Sequence, residues 1–104
     1  MPDGLAIAME VAADEVTLAL TGEVDLATAP QLSAAFAEAL THAPSRVVID
    51  CAALTFLDSS GIQVLVAAWE SMKDRATMPV VLTNMSPIVK QVLEACGVRD
   101  LLTE

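Results

Sequence analysis

The sequence predicts a single layered α/β domain on a mixed sheet, and three observations carry that prediction. Two stretches near the start alternate apolar and polar residues with period two. Two continuous apolar runs, Val47-Val48-Ile49 and Val80-Val81-Leu82, read as strands buried on both faces. Three stretches with helical spacing of apolar residues stand between and after them. Strand–helix–strand units imply right-handed crossovers and parallel pairing, while the opening pair reads as antiparallel. The 104 residues hold no repeat, linker or low-complexity tract, so residues 1–104 are read as one domain.

Leu5–Val11 places Ile7, Met9 and Val11 on one side, and Val16–Thr21 does the same with Val16, Leu18 and Leu20. Ala12-Ala13-Asp14-Glu15 is the turn between them, and Gly22-Glu23-Val24-Asp25 leaves the second strand. Thr28 reads as an N-cap, with Pro30 in the first turn and Gln31 at capping-box spacing. Leu32, Ala35, Phe36, Ala39 and Leu40 then form one helical face, and Pro44 ends the helix. Arg46–Cys51 is the next strand, and Ala52–Leu57 is read as a connection. A second helix, from about Ser60 to Lys73, turns Ile62, Leu65, Val66, Trp69 and Met72 inward. Pro79–Thr83 is a strand. Ser86 caps a third helix with Pro87 in its first turn and Ile88, Val89, Val92, Leu93 and Cys96 toward the core. Gly97 fits a helix C-cap, and Val98–Leu102 is a short tail packed back on the domain.

With 55% hydrophobic residues and a mean hydropathy of +0.60, the composition excludes intrinsic disorder. Aromatics are 3%, so the core must be aliphatic. A net charge of -9, from 14 acids and 5 bases, repels phosphate backbones and anionic lipid. Neither nucleic acid nor the membrane is expected as a partner; a basic protein surface fits, as does simple solubilisation of an apolar domain. Met1-Pro2-Asp3-Gly4 lacks the basic start and apolar stretch of a signal peptide. The longest apolar run, Val64–Trp69, is far short of a membrane span. Cys51 and Cys96 stand apart with no CxxC, and buried free thiols in a cytoplasmic protein are expected.

The inventory of chemistry is sparse. The single histidine, His42, lies near a helix end, where a solvated role is expected, and nothing sets it beside a nucleophile. Walker A and GxGxxG patterns are absent, and one His with two distant Cys makes no zinc site. Glu23 and Asp25 beyond a strand read as solvated acids rather than cation ligands. No enzyme, cofactor or metal is expected.

One constellation stands out. Thr55-Phe56-Leu57-Asp58-Ser59-Ser60-Gly61-Ile62 leads into the second helix. Asp58 or Ser60 can cap the exposed amides, and Ser60 with Gln63 has capping-box spacing. Gly61 is unfavourable by about 1 kcal/mol relative to Ala in a helix; close backbone approach by another molecule would be a reason for it. The hydroxyls serve either as helix caps or as a phosphoacceptor, where a phosphate would meet free amides and the positive end of the helix dipole.

Gly22-Glu23-Val24-Asp25, Val47-Val48-Ile49-Asp50, Phe56-Leu57-Asp58-Ser59-Ser60-Gly61-Ile62, Asn84-Met85-Ser86-Pro87-Ile88-Val89 and Leu93-Glu94-Ala95-Cys96-Gly97-Val98 fall in an order that resembles the STAS-domain family of anti-sigma factor antagonists, over nearly the whole chain. The resemblance implies a mixed four- to five-stranded sheet with about three main helices packed mainly on one side. It implies a partner, a histidine-kinase-like anti-sigma factor that phosphorylates the serine directly after the motif aspartate and so breaks the complex. A PPM-type phosphatase restores it. The acceptor implied here is Ser59, with Ser60 its neighbour; Asp25 matches a loop acid near the partner interface. Thr28, Asp58, Ser60, Gly61 and Gln63 complete the expected interface. Gln63 departs from the glycine of many members, which bears on partner recognition. Lys73–Met78 lacks the paired glycines often found there. The family also includes stressosome subunits and subunits of lipid-transport machines, so a scaffold role is the alternative.

Overall fold

The computed structural model describes residues 4–76 and 78–103. Met1, Pro2, Asp3, Thr77 and Glu104 lie outside the described residues, and with them most of the segment examined for a signal peptide and part of the Lys73–Met78 connection. The chain runs β1 (Leu5–Ala12), β2 (Glu15–Val24), α1 (Ala29–Leu40), β3 (Arg46–Leu57), α2 (Ser59–Met72), β4 (Val80–Thr83), α3 (Pro87–Ala95) and α4 (Arg99–Leu102). The described strands form one mixed sheet in the order β1-β2-β3-β4. β1 pairs antiparallel with β2 through a two-residue turn, with Ala12 opposite Glu15. β2–β3 and β3–β4 are parallel. α1 and α2 are the two crossovers. Both advance across the sheet in the same direction, so right-handed connections place them on one face, where they pack against each other.

Alternation decides which face is covered. Val16, Leu18 and Leu20 of β2 and Val47, Ile49 and Cys51 of β3 are buried, and their in-between neighbours Thr17, Ala19, Val48 and Asp50 are less so. Leu32, Phe36 and Ala39 of α1 and Ile62, Leu65 and Met72 of α2 join them in one aliphatic core. Trp69 is half-buried against it. Leu102 of α4 is fully buried, so the tail does pack back. α3 ends in a Schellman motif: the Gly97 amide donates to the Glu94 carbonyl and the Val98 amide to that of Leu93, with Gly97 at φ +72°.

Three expectations need correction. Ala52–Leu57 is not a connection but the second half of β3, and β2 likewise runs on to Val24. Two register shifts in the β2–β3 ladder, one between Ala19 and Thr21 and one between Gly22 and Glu23, each leave an extra residue on β3. Burial therefore passes from every second residue to every third, at Cys51, Leu54 and Leu57, and the period-two signature disappears. Cys96 and Ile88 are exposed rather than core-facing, because the nine-residue α3 buries only the Val89–Leu93 stripe. At α1, the Thr28 side chain makes no cap hydrogen bond, and Gln31 closes no capping box but donates through Nε2 to the Leu5 carbonyl at 2.7 Å.

Candidate functional site

Because β2 and β3 are parallel and Val24 stands opposite Leu57, the residues that follow them, Asp25 and Asp58, emerge at the same edge of the sheet. The Asp58 amide donates to the Val24 carbonyl at 3.2 Å, tying the two exits together. What sequence spacing suggested separately, a loop acid and a serine-rich helix start, is thus one locus.

The start of α2 is set by Asp58. Its extended backbone (φ -113°, ψ -173°) places Oδ1 under the first turn, where it accepts from the Ser60 amide at 2.8 Å and the Gly61 amide at 3.4 Å. Asp58, not Ser60, is therefore the N-cap, and the Ser60–Gln63 spacing is not a capping box. The helix begins one residue earlier than its apolar pattern suggests, and Ser59 is its first residue. Ser59 is exposed, Ser60 half-buried and Gln63 exposed.

Gly61 is buried. A Cβ there would stand 2.6 Å from Val24 Cγ1 and closer still to Leu57 Cδ1. The close approach that calls for glycine is made by the domain's own strand ends, not by another molecule. It lets α2 start directly on top of Val24 and Leu57.

The Asp25 loop is held by its own side chains. Asp25 Oδ1 accepts from the Ala27 and Thr28 amides, both at 3.0 Å. Thr28 Oγ1 accepts from the Asp25 amide at 2.9 Å and donates to the Glu23 carbonyl at 2.9 Å. Asp25 and Thr28 are each half-buried and spent largely on this turn. The turn lifts Leu26 into solvent, where it is 79% exposed.

Between α1 and α2 lies an open groove of about 340 Å³, with Leu26, Ala29 and Pro30 on one wall and Ser60, Gln63 and Val64 on the other. Sequence reasoning missed this groove and Leu26; an apolar residue between the polar Asp25 and Thr28 was the available signal. The charge is one-sided. From Met1 to Met72 the only Lys or Arg is Arg46, at the start of β3 and so at the far end of the sheet, whereas Glu23, Asp25 and Asp58 all stand at this end.

Other titratable groups lie elsewhere. Asp50 is held below the usual carboxylate range by the Asn84 side-chain amide at 3.0 Å and the Ala52 amide at 3.0 Å. Burial, with Asp50 adding, pushes the Cys51 thiol up to about 12. Among the described residues no group of His, Cys, Asp and Glu could hold a metal ion, and no helix is long and apolar enough to cross a membrane.

Comparison with known proteins agrees with this fold. The family model described as "Mlab, STAS domain" matches residues 7–103. The anti-sigma-F factor antagonist RsfB of Mycobacterium tuberculosis is 32% identical over 80 residues, covering 77% of this chain and 66%, just under two thirds, of RsfB. A crystal structure of an anti-sigma factor antagonist from Mycobacterium paratuberculosis superposes with a TM-score of 0.81 at 26% identity, covering 98% of this chain and 86% of the other. The antagonist SpoIIAA in its unphosphorylated form superposes with a TM-score of 0.79 at 25% identity, over 94% of this chain and 86% of SpoIIAA. With a family model spanning almost its whole length and the same fold in these relatives, the chain belongs to the STAS-domain family.

Proposed function

We propose that this chain is an anti-sigma factor antagonist that binds a kinase-type anti-sigma factor, so freeing a sigma factor, and that phosphorylation of Ser59 by the partner switches it off. The observation that carries this reading is the position of Ser59: exposed, first in α2, directly after the capping Asp58 and level with the Asp25 loop. RsfB and SpoIIAA, which this chain resembles, are named as anti-sigma factor antagonists, and SpoIIAA is described in an unphosphorylated form.

Phosphorylation would add about -1.5 to -2 charges to a locus that already holds Asp58, Asp25 and Glu23. The β2–α1 loop and α2 hold no Lys or Arg to absorb it, so that charge faces the partner. An interface built for the neutral hydroxyl then loses contact and meets like charge where the partner is acidic. Ser59 lies outside the core, so the switch works without refolding. A PPM-type phosphatase would reset it, and the cytoplasm is the compartment in which this reading places the cycle. Asp25, Thr28, Asp58, Ser60 and Gln63 shape the bound surface. Gly61 contributes by letting α2 start close to the strand ends.

A second reading, a scaffold subunit of a larger complex in which Ser59 is only a helix-start residue, draws support from the matching family model, whose description names Mlab. Intact mass after incubation with ATP and a purified kinase-type anti-sigma factor separates the two. One added phosphate on the wild-type chain and none on Ser59→Ala is expected. An unmodified wild-type chain, beside a kinase active on another substrate, favours the scaffold.

A further inference from the structure

We propose that Leu26 and the groove between α1 and α2 are the anchoring half of the partner interface, and that their occupant is an apolar side-chain cluster with a basic rim on the kinase-type anti-sigma factor. This rests on the function proposed above and names what the Ser59 surface recognises beyond the serine itself.

Leu26 is more exposed, at 79%, than Ile88, Val11 or Phe56, the other large apolar residues left in solvent. Its exposure is imposed by structure. The hydrogen bonds that Asp25 and Thr28 make across the turn fix the backbone on both sides of it. A leucine held out on an ordered turn binds with little further loss of backbone freedom, the condition under which apolar contact is converted most fully into affinity. The groove next to it is walled by short side chains, Ala29 and Ala67 among them, so an incoming side chain meets space rather than flexible cover.

Two observations choose the occupant. The groove is continuous with the switch: Ser60 and Gln63 line it, and Ser59 immediately precedes Ser60. A partner seated on Leu26 therefore reaches the phosphoacceptor. The acids Glu23, Asp25 and Asp58 stand at the same edge of the sheet as the groove's Leu26 and Ser60, and neither the β2–α1 loop nor α2 carries a Lys or Arg, which selects a partner with positive charge around its apolar contact. It also disfavours a second copy of this chain, whose own Ser59 end carries the same acids and would repel it. Residue 26 is then a specificity-determining position, because the turn would present any side chain there to the same spot.

The test is a binding titration with the anti-sigma factor that phosphorylates the wild-type chain, using Leu26→Ala, Ala67→Glu to fill the groove, and Val11→Ala as an exposed apolar control in β1, beside the far end of β2. Leu26→Ala is expected to weaken binding by about tenfold or more, as truncating an interface anchor does. Ala67→Glu should do the same, Val11→Ala should match wild type, and added salt should weaken the wild-type complex. Leu26→Ala binding as tightly as Val11→Ala would overturn the proposal while leaving the Ser59 switch standing. A self-associated wild-type chain that Leu26→Ala converts to monomer in sedimentation would overturn the assigned occupant. Failure of the underlying function is read separately, as no phosphate on the wild-type chain.

Discussion

Ser59 and Ser60 are adjacent and chemically alike, yet their surroundings differ. The Ser60 amide is held by Asp58 and its side chain faces the groove, whereas Ser59 is open to solvent. The two cysteines show a similar divergence. Cys51 is 1% exposed in the centre of β3, and burial pushes its thiol up to about 12, so it stays neutral throughout the physiological range; Cys96 caps α3 and is exposed. A disulfide reagent at about pH 8 should therefore label Cys96 quickly and Cys51 only after unfolding, since the thiolate is the reactive form. Rapid labelling of both would show that the middle of β3 is open. Sequence alone predicted both thiols as buried. It was right where the residue sits in a β-branched strand and wrong at Cys96, where helix length, not apolar character, decides exposure.

At the level of elements, the start of α2 carries the site, and its geometry depends on Gly61. A Gly61→Ala methyl would press into Leu57 and Val24. Overpacking of this kind costs about 1–3 kcal/mol, offset by up to about 1 kcal/mol of helix propensity. Gly61→Ala should thus lower the melting temperature by several degrees, at about 4–8 °C per kcal/mol for a domain of this size. An unchanged melting temperature would mean that α2 can shift away from the strand ends at no cost. Both helices that wall the groove were legible as local patterns, whereas the cap was left open between Asp58 and Ser60 and Gly61 was read as room for another molecule, because the strand ends that crowd it are distant in sequence. The second half of β3 was not legible, because its bulges erase alternation, and without it the approach of Asp25 to Asp58 cannot be inferred. The third-residue spacing of Cys51, Leu54 and Leu57 has meaning only once the partner strand is known.

At the level of the whole molecule, charge and topology reinforce one another. The strand order brings the exits of β2 and β3 to one edge, and Arg46 enters β3 at the other, where it faces Glu15 at 3.7 Å. The edge that carries Ser59 is left acidic and apolar, a surface suited to one partner and sensitive to one added phosphate. Because Ser59 lies outside the core, phosphorylation should shift overall stability by no more than about 0.5 kcal/mol, as for other exposed positions. The most direct test is to titrate the anti-sigma factor, in parallel, with unmodified chain and with chain quantitatively phosphorylated on Ser59, and to record the melting temperature of each form. The account predicts tight binding by the unmodified chain, a loss of at least about a hundredfold on phosphorylation, as for an unpaired charge driven into an interface, and nearly coincident melting curves. Equal affinities would contradict it, as would a loss of binding accompanied by collapse of the fold.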